Sequence, residues 1–278
     1  MLIEHEQHGR LGPQRGNGQV SFFGASAGLS DTTGGANSFF GTEAGKLNTT
    51  GDFNSFFGDG AGVSNTTADS NSFFGFHAGL LNTGGSNSFF GAETGKSNET
   101  GGFNSFFGQN AGRNNNTGSG NAFFGTSAGF NNTVGQLNAF FGEGTGSANT
   151  TGTGNTFIGR DADFNMPGAT GDNNTLLGSD TRIITGLSNA TAIGARAHVT
   201  QSNSLVLGSI SGVNSAVAST SVGIGTTAPK ATLDVTGGNI FVGSPGQGII
   251  LKSPNGATCR LLSIDNAGNM TLAAVACP

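Results

Sequence analysis

Ten near-identical steps run from Ser21 to Gly178, each carrying an apolar pair closed by glycine. They end at Gly24, Gly41, Gly58, Gly75, Gly91, Gly108, Gly125, Gly142, Gly159 and Gly178, spaced 17, 17, 17, 16, 17, 17, 17, 17 and 19 residues apart. The unit reads roughly N-S-F-F-G-x-x-A-G-x-x-N-T-T-G-x-x. A period this strict means one structural unit stacked on itself. Glycine interrupts every unit and no helical period is present, which excludes amphipathic helical repeats. A three-sided hexapeptide helix would need coils of about eighteen residues with an apolar residue every sixth; the spacings of 16, 17 and 19 do not divide that way. Seventeen residues instead accommodate two strands of about five residues and two tight turns. The expected fold is therefore all-β, a two-sided parallel β-roll with about 17 residues per coil. Counting Gly194 and Gly208, twelve intervals separate Gly24 from Gly225. At about 4.8 Å each they predict a rod near ~58 Å long.

Neighbouring strand residues point to opposite faces, so a repeated Phe-Phe pair places one ring inside the roll and one outside. The packing candidates are Phe39, Phe40, Phe56, Phe57, Phe73, Phe74, Phe89, Phe90, Phe106, Phe107, Phe123, Phe124, Phe140 and Phe141. The second Phe, next to glycine, is assigned to the interior and the first to an outer stripe. Such a stripe exceeds the few hundred Å² of contiguous apolar surface that a monomer usually exposes. It predicts a parallel homo-oligomer whose copies meet on a common axis. Later steps replace the pair by Phe157-Ile158, Leu176-Leu177, Ala192-Ile193 and Val206-Leu207. Burial is thus the requirement, and the fixed register argues against a disordered mesh of Phe-Gly stickers.

Composition narrows the function. The net charge is −5 with 10% charged residues, which offers no basic surface for nucleic acid. No stretch approaches the roughly 20 apolar residues of a membrane span, and the first twenty residues lack the apolar core of a secretion signal. Chemistry-bearing candidates are few. Glu43 with Lys46 and Glu93 with Lys96 recur three coils apart, about 14 Å and too far for joint catalysis; they read as surface ion pairs. His5 and His8 stand in the N-terminal tail, and His77 and His198 occur singly. Asp59, Asp69, Asp161, Asp163, Asp172 and Asp180 do not follow a calcium-binding nonapeptide. Asn-x-Thr words such as Asn48-Thr49-Thr50 fall in the turns, where Asn and Thr cross-bond between coils. No catalytic set, cofactor motif or metal cluster is expected, and the chain reads as non-enzymatic.

Residues Ser188 to Gly208, SNATAIGARAHVTQSNSLVLG, resemble the YadA-like head repeats of trimeric autotransporter adhesins. The 17-residue units resemble, more loosely, repeats of bacterial surface fibres and phage tail-fibre shafts. The resemblance implies a left-handed roll assembled as a homotrimer. Ser221 to Thr236 is similar to the connector that follows such shafts in tail-fibre-like proteins. The expected organisation is an N-terminal tail (1–20), a shaft (21–187), YadA-like head repeats (188–225), and a connector with a small C-terminal β cap (226–278). In that cap Cys259 precedes the run Leu261-Leu262 and Cys277 follows Leu272 to Val275. If these runs are neighbouring strands, a bridge between the two cysteines within one chain is expected, with interchain bonds or free thiols as the alternatives.

The expected function is an extracellular, bacterial cell-surface fibre or adhesin segment mediating attachment. Its partners would be two further copies of the chain and a host-surface or matrix ligand, protein or glycan, with no nucleic acid and no direct membrane span. The alternative is a phage tail-fibre-like shaft that reads its receptor through the C-terminal tip.

Overall fold

A computed structural model describes residues 20–163, 171–237, 240, 242, 248–254 and 257–277. Among them every regular element is a β-strand. Twelve three-residue strands, from Ser21–Phe23 to Leu205–Leu207, form one parallel sheet. Eleven of its twelve strands pair with the one a coil later, giving a parallel β-solenoid of about eleven turns. Phe39 pairs with Phe56 and Phe40 with Phe57. The same register survives the 16-residue step from Phe73 to Phe89 and the 19-residue step from Phe157 to Leu176, so the turns absorb the change in length. Gly225 follows the strand Val222–Ile224, which pairs with Leu233–Val235 outside this sheet. The expected twelfth interval therefore does not belong to the solenoid, whose eleven steps span about 53 Å.

The second extended piece expected in each coil is replaced by a succession of tight turns. Ala44 N–H donates to Gly41 O (3.2 Å), Lys46 N–H to Glu43 O (3.1 Å) and Asn48 N–H to Gly45 O (3.0 Å). The intervening amides reach the next coil, Gly45 to Ala61 O (2.9 Å) and Leu47 to Val63 O (3.1 Å). Glu43 and Gly45 both take left-handed conformations, each with φ 57°, and these bends prevent a continuous strand. Short strands, Arg182–Ile183 and His198–Val199, do pair on this side. There Arg182 and His198 stand four residues after the strand glycine, where Gly45 stands in the earlier coil.

The two rings of each pair face opposite ways, but the inside and outside are exchanged relative to expectation. Phe39, Phe56, Phe73, Phe89, Phe106, Phe123 and Phe140 are fully buried, and Phe40, Phe57 and their successors lie on the outer face. The reason is the alternation itself. Asn37 and Phe39 share the inward face, and Ser38 shares the outward face with Phe40. Inner rings stack at 4.7–4.9 Å between centroids. A column of alanines, among them Ala44, Ala61 and Ala78, lies beside them, with Thr94, Thr145 and Thr181 in three coils. Gly45 follows Ala44 because a Cβ there would sit 2.6 Å from the Phe39 ring. Gly41 closes the strand with φ 142°, and a side chain on it would run into the Gly58 carbonyl.

Two columns of buried asparagine complete the interior. In one, each backbone N–H donates to the preceding coil's side-chain oxygen: Asn54 to Asn37 (2.9 Å), Asn71 to Asn54 (3.0 Å), and so on to Asn174 on Asn155 (2.9 Å). In the other, amides bond side chain to side chain, as Asn98 Nδ2 to Asn82 Oδ1, Asn115 to Asn98 and Asn132 to Asn115, each 2.6 Å. Their remaining donors reach backbone oxygens such as Gly101 and Gly118. Asn can be buried at every coil because its amide is satisfied by the coils above and below. The second column begins at Asp31, whose carboxylate accepts from Asn48 Nδ2 at 3.1 Å; an acceptor-only group suits that end. Burial raises the Asp31 pKa, against the pull of its bonds to Asn48 and Asn37.

Residues Ser221–Pro278 form a second compact unit. Its strands Ile249–Lys252, Cys259–Ile264 and Met270–Val275 make an antiparallel three-stranded sheet. The two runs flanked by cysteine are neighbours, with Leu262 opposite Leu272, and Cys259 and Cys277 are joined by an intrachain disulfide with Cα atoms 5.2 Å apart. Phe241 lies outside the described residues, as do residues 1–19 of the N-terminal tail, with His5 and His8.

Candidate interaction surface

The outer face of the long sheet is a column of aromatic rings. Phe40, Phe57, Phe74, Phe90, Phe107, Phe124 and Phe141 stack at 4.7–4.9 Å with planes within 4–6° of parallel. Ile158, Leu177, Ile193 and Leu207 continue the column in the following coils. Each ring covers the one above and below, so the central rings are half-buried while Phe40 and Phe141 are 38% and 40% exposed. Beside them the outward residues are small: Ser38, Ser55, Ser72, Ser88, Ser105 and Ala122. The result is an uncharged ribbon about 50 Å long. With a width near 8 Å it presents on the order of 400 Å², within the roughly 300–600 Å² of the largest apolar patch on a typical monomer and below the excess expected from the sequence, because each ring covers part of its neighbours.

A second exposed apolar set stands two residues before the strands. Phe53, Phe103 and Leu137 adopt left-handed φ values of 59°, 58° and 56° and remain largely exposed. Bulky residues seldom take this conformation; here it recurs at the same corner in smaller residues such as Ala36 and Ser70, so the fold imposes it.

The charged candidates are resolved into local pairs. Lys46 Nζ lies 2.6 Å from Glu43 Oε1, and Lys96 Nζ 2.7 Å from Glu93 Oε1. Arg113 Nε adds a second bond to Glu93 at 2.8 Å. Bonds from Lys96 and Arg113 hold the Glu93 carboxyl below its ordinary range. These pairs are partly exposed and stabilise by at most about 1 kcal/mol. His77 Nε2 is 3.9 Å from Asp59. Asp69 and Asp172 accept the backbone N–H groups of Asp52 (2.7 Å) and Thr153 (2.8 Å) and so brace turns. The Asn48, Asn65 and Asn98 side chains of the Asn-x-Thr words are fully buried, a position that no attached sugar would fit.

Asp163 departs from this pattern. It stands four residues after the strand glycine Gly159, where the earlier coils carry glycine, with φ 57°. Its carboxylate is buried, and among the described residues neither oxygen has a hydrogen-bond partner. Burial pushes its pKa up to about 7, against the pull of Arg182. A void of about 10 Å³ adjoins it, lined by Asn149, Asn155, Asn174, Phe157 and Ile183 among others. His198 is held below its ordinary pKa by burial and, secondly, by Arg182.

Among the described residues no group of three or more His, Cys, Asp or Glu is placed to hold a metal ion, and no helix is long and apolar enough to cross a membrane. The sequence-predicted Phe residues are thus brought together as two continuous columns, while the Glu/Lys words, His77, His198 and most of the aspartates remain local. The asparagine columns were not anticipated as interior, although they recur at the same period as the phenylalanines. No protein-family model, curated protein or solved structure matches this chain.

Proposed function

We propose that this chain is a non-enzymatic segment of an extracellular, bacterial cell-surface fibre, assembled as a homotrimer and mediating attachment. The observation that carries the reading is the unbroken outer column from Phe40 to Leu207. A second copy repeats the same spacing, so apolar residues meet apolar residues at every coil without a designed lock at any one of them. The choice of three copies, a left-handed roll and an adhesive role rests on the likeness of Ser188–Gly208 to YadA-like heads. Negative-stain imaging of the full chain tests it. Uniform rods containing three chains are expected, binding to coated host-matrix proteins or glycans; isolated single chains that attach to none of them would reject the reading.

The tail-fibre alternative is favoured by one observation. The disulfide-closed C-terminal sheet leaves Ile250, Met270 and Leu272 exposed, a surface suited to receptor contact. In that case substituting Ile250 and Leu272 by Asp would abolish attachment, whereas an adhesin whose specificity lies along the shaft would still bind.

A further inference from the structure

We propose that the last coils of the solenoid, together with residues 209–220, form a binding cleft for an acidic sugar of the uronic or sialic type. Arg196 is the group that recognises its carboxylate. The proposal supplies a ligand class for the attachment reading above and takes its biological setting from it.

The repeat ends in a segment that folds back on itself. Thr220 N–H donates to Ser209 O, and Gly212 N–H to Ala216 O, both at 2.9 Å. Its tip is pinned across two coils by Asn214, whose Nδ2 donates to Asp180 O (2.6 Å) and to Arg196 O (3.2 Å). Arg182 Nε donates in turn to Asn214 Oδ1 at 2.6 Å. Between this segment and the turn columns lies an open cleft of about 400 Å³, within the range of small-ligand sites. One wall carries Arg160, Ser179, Asp180 and Arg196; the other carries Ser209, Ala216 and Val217.

The charges of the wall are unevenly matched. Arg160 meets two carboxylates, Asp161 at 3.3 Å and Asp180 at 3.7 Å. Arg196 stands in the same coil position as Asp161 and Asp180, with the sign reversed, two residues after its strand glycine. Among the described residues it has neither an ion-pair nor a hydrogen-bond partner for its guanidinium. A partly shielded, uncompensated guanidinium presents paired N–H donors that match a carboxylate.

The remaining groups select what carries that carboxylate. The Asp180 carboxylate and the hydroxyls of Ser179 and Ser209 offer acceptors for sugar hydroxyls. Ala195, Ala216 and Val217 give an apolar surface for the C–H face of a pyranose ring. A bare phosphate would use Arg196 and leave the apolar wall bare. An acidic peptide would bring further carboxylates against Asp180.

The test is saturation-transfer NMR on the full-length protein with three probes: glucuronic acid, glucose and inorganic phosphate. Glucuronic acid should bind in the millimolar range or tighter, and the other two about tenfold more weakly. Arg196→Gln should weaken glucuronic acid about tenfold or more. Val217→Glu, at a site 88% exposed and so harmless to folding, should do the same by repulsion, and it decides the matter if the arginine variant melts early. No glucuronic acid binding, binding unchanged in the folded variants, or phosphate bound as tightly would overturn the proposal. Sedimentation of the same samples separates the two ideas. Trimers without sugar binding sink the cleft alone, and monomers that bind the sugar sink the fibre reading alone.

Discussion

The inner column, Phe39 to Phe140, and the outer column, Phe40 to Phe141, share their spacing and their near-parallel stacking. The inner rings are nevertheless fully buried, and the outer ones keep one side uncovered. Stacking along the rod is therefore common to both, and what separates them is what lies across the coil. Inner rings meet Ala44-type methyls and glycine inside the coil; outer rings stack on one another and keep their outward side open. The inner column belongs to the folding free energy of one chain, and the outer column is available for association.

The sharpest way to break this contrast is to truncate one ring of a single pair. Phe89→Ala should destabilise the solenoid by about 3–5 kcal/mol, because the cavity is enclosed and the stacked coils cannot collapse into it. Phe90→Ala should cost the isolated chain less than about 1 kcal/mol. Denaturant melts of both variants at low protein concentration measure the difference; equal losses would erase the distinction between inside and outside.

A slightly smaller effect tests whether the interior is dry where the glycine column gives way to Asp163. The folded-state pKa of about 7 lies above the ordinary 3.8, so the folded chain holds its proton where the unfolded chain releases it. Stability is thus highest below about pH 4, falls as the pH rises through the window up to about 7, and is level above it. The total is up to about 4 kcal/mol at roughly 1.4 kcal/mol per pH unit. Asp163→Asn should raise the melting temperature at pH 8 and flatten this slope. An unchanged pH profile would show that the carboxylate is solvated.

The C-terminal unit supplies the next contrast. Its strands are largely exposed, and the Cys259–Cys277 bridge, with a sequence separation of 18, closes a loop worth about 3 kcal/mol. Reduction should therefore lower protection of amide hydrogens in 259–275 and leave the solenoid amides unchanged. Loss of protection in the coils around Phe89 would contradict the separation into two units.

The solenoid was legible because period, glycine spacing and the apolar pair all repeat in register. The face of each phenylalanine was not, because Asn37 and its successors read as surface residues on any hydropathy argument. Their burial depends on amides in adjacent coils satisfying one another, a property of the stack and of no single unit. The clue was present in the alternation: asparagine two residues before the first Phe, serine before the second. The second side of each coil was misjudged because Glu43-type residues in a left-handed conformation carry no sequence signature. The cleft at Arg196 escaped the repeat altogether, since residues 209–220 break the period and only their fold-back places Asn214 against Asp180 and Arg196.

The central claim, that the outer ring column joins copies of this chain, is tested most directly by sedimentation equilibrium. The comparison is between the parent and a variant carrying Phe57→Asp, Phe74→Asp and Phe107→Asp. The account predicts three times the 27.6 kDa chain mass for the parent, and a single chain with unaltered β circular dichroism for the variant. A parent that sediments as one chain, or a folded variant that stays trimeric, would contradict it.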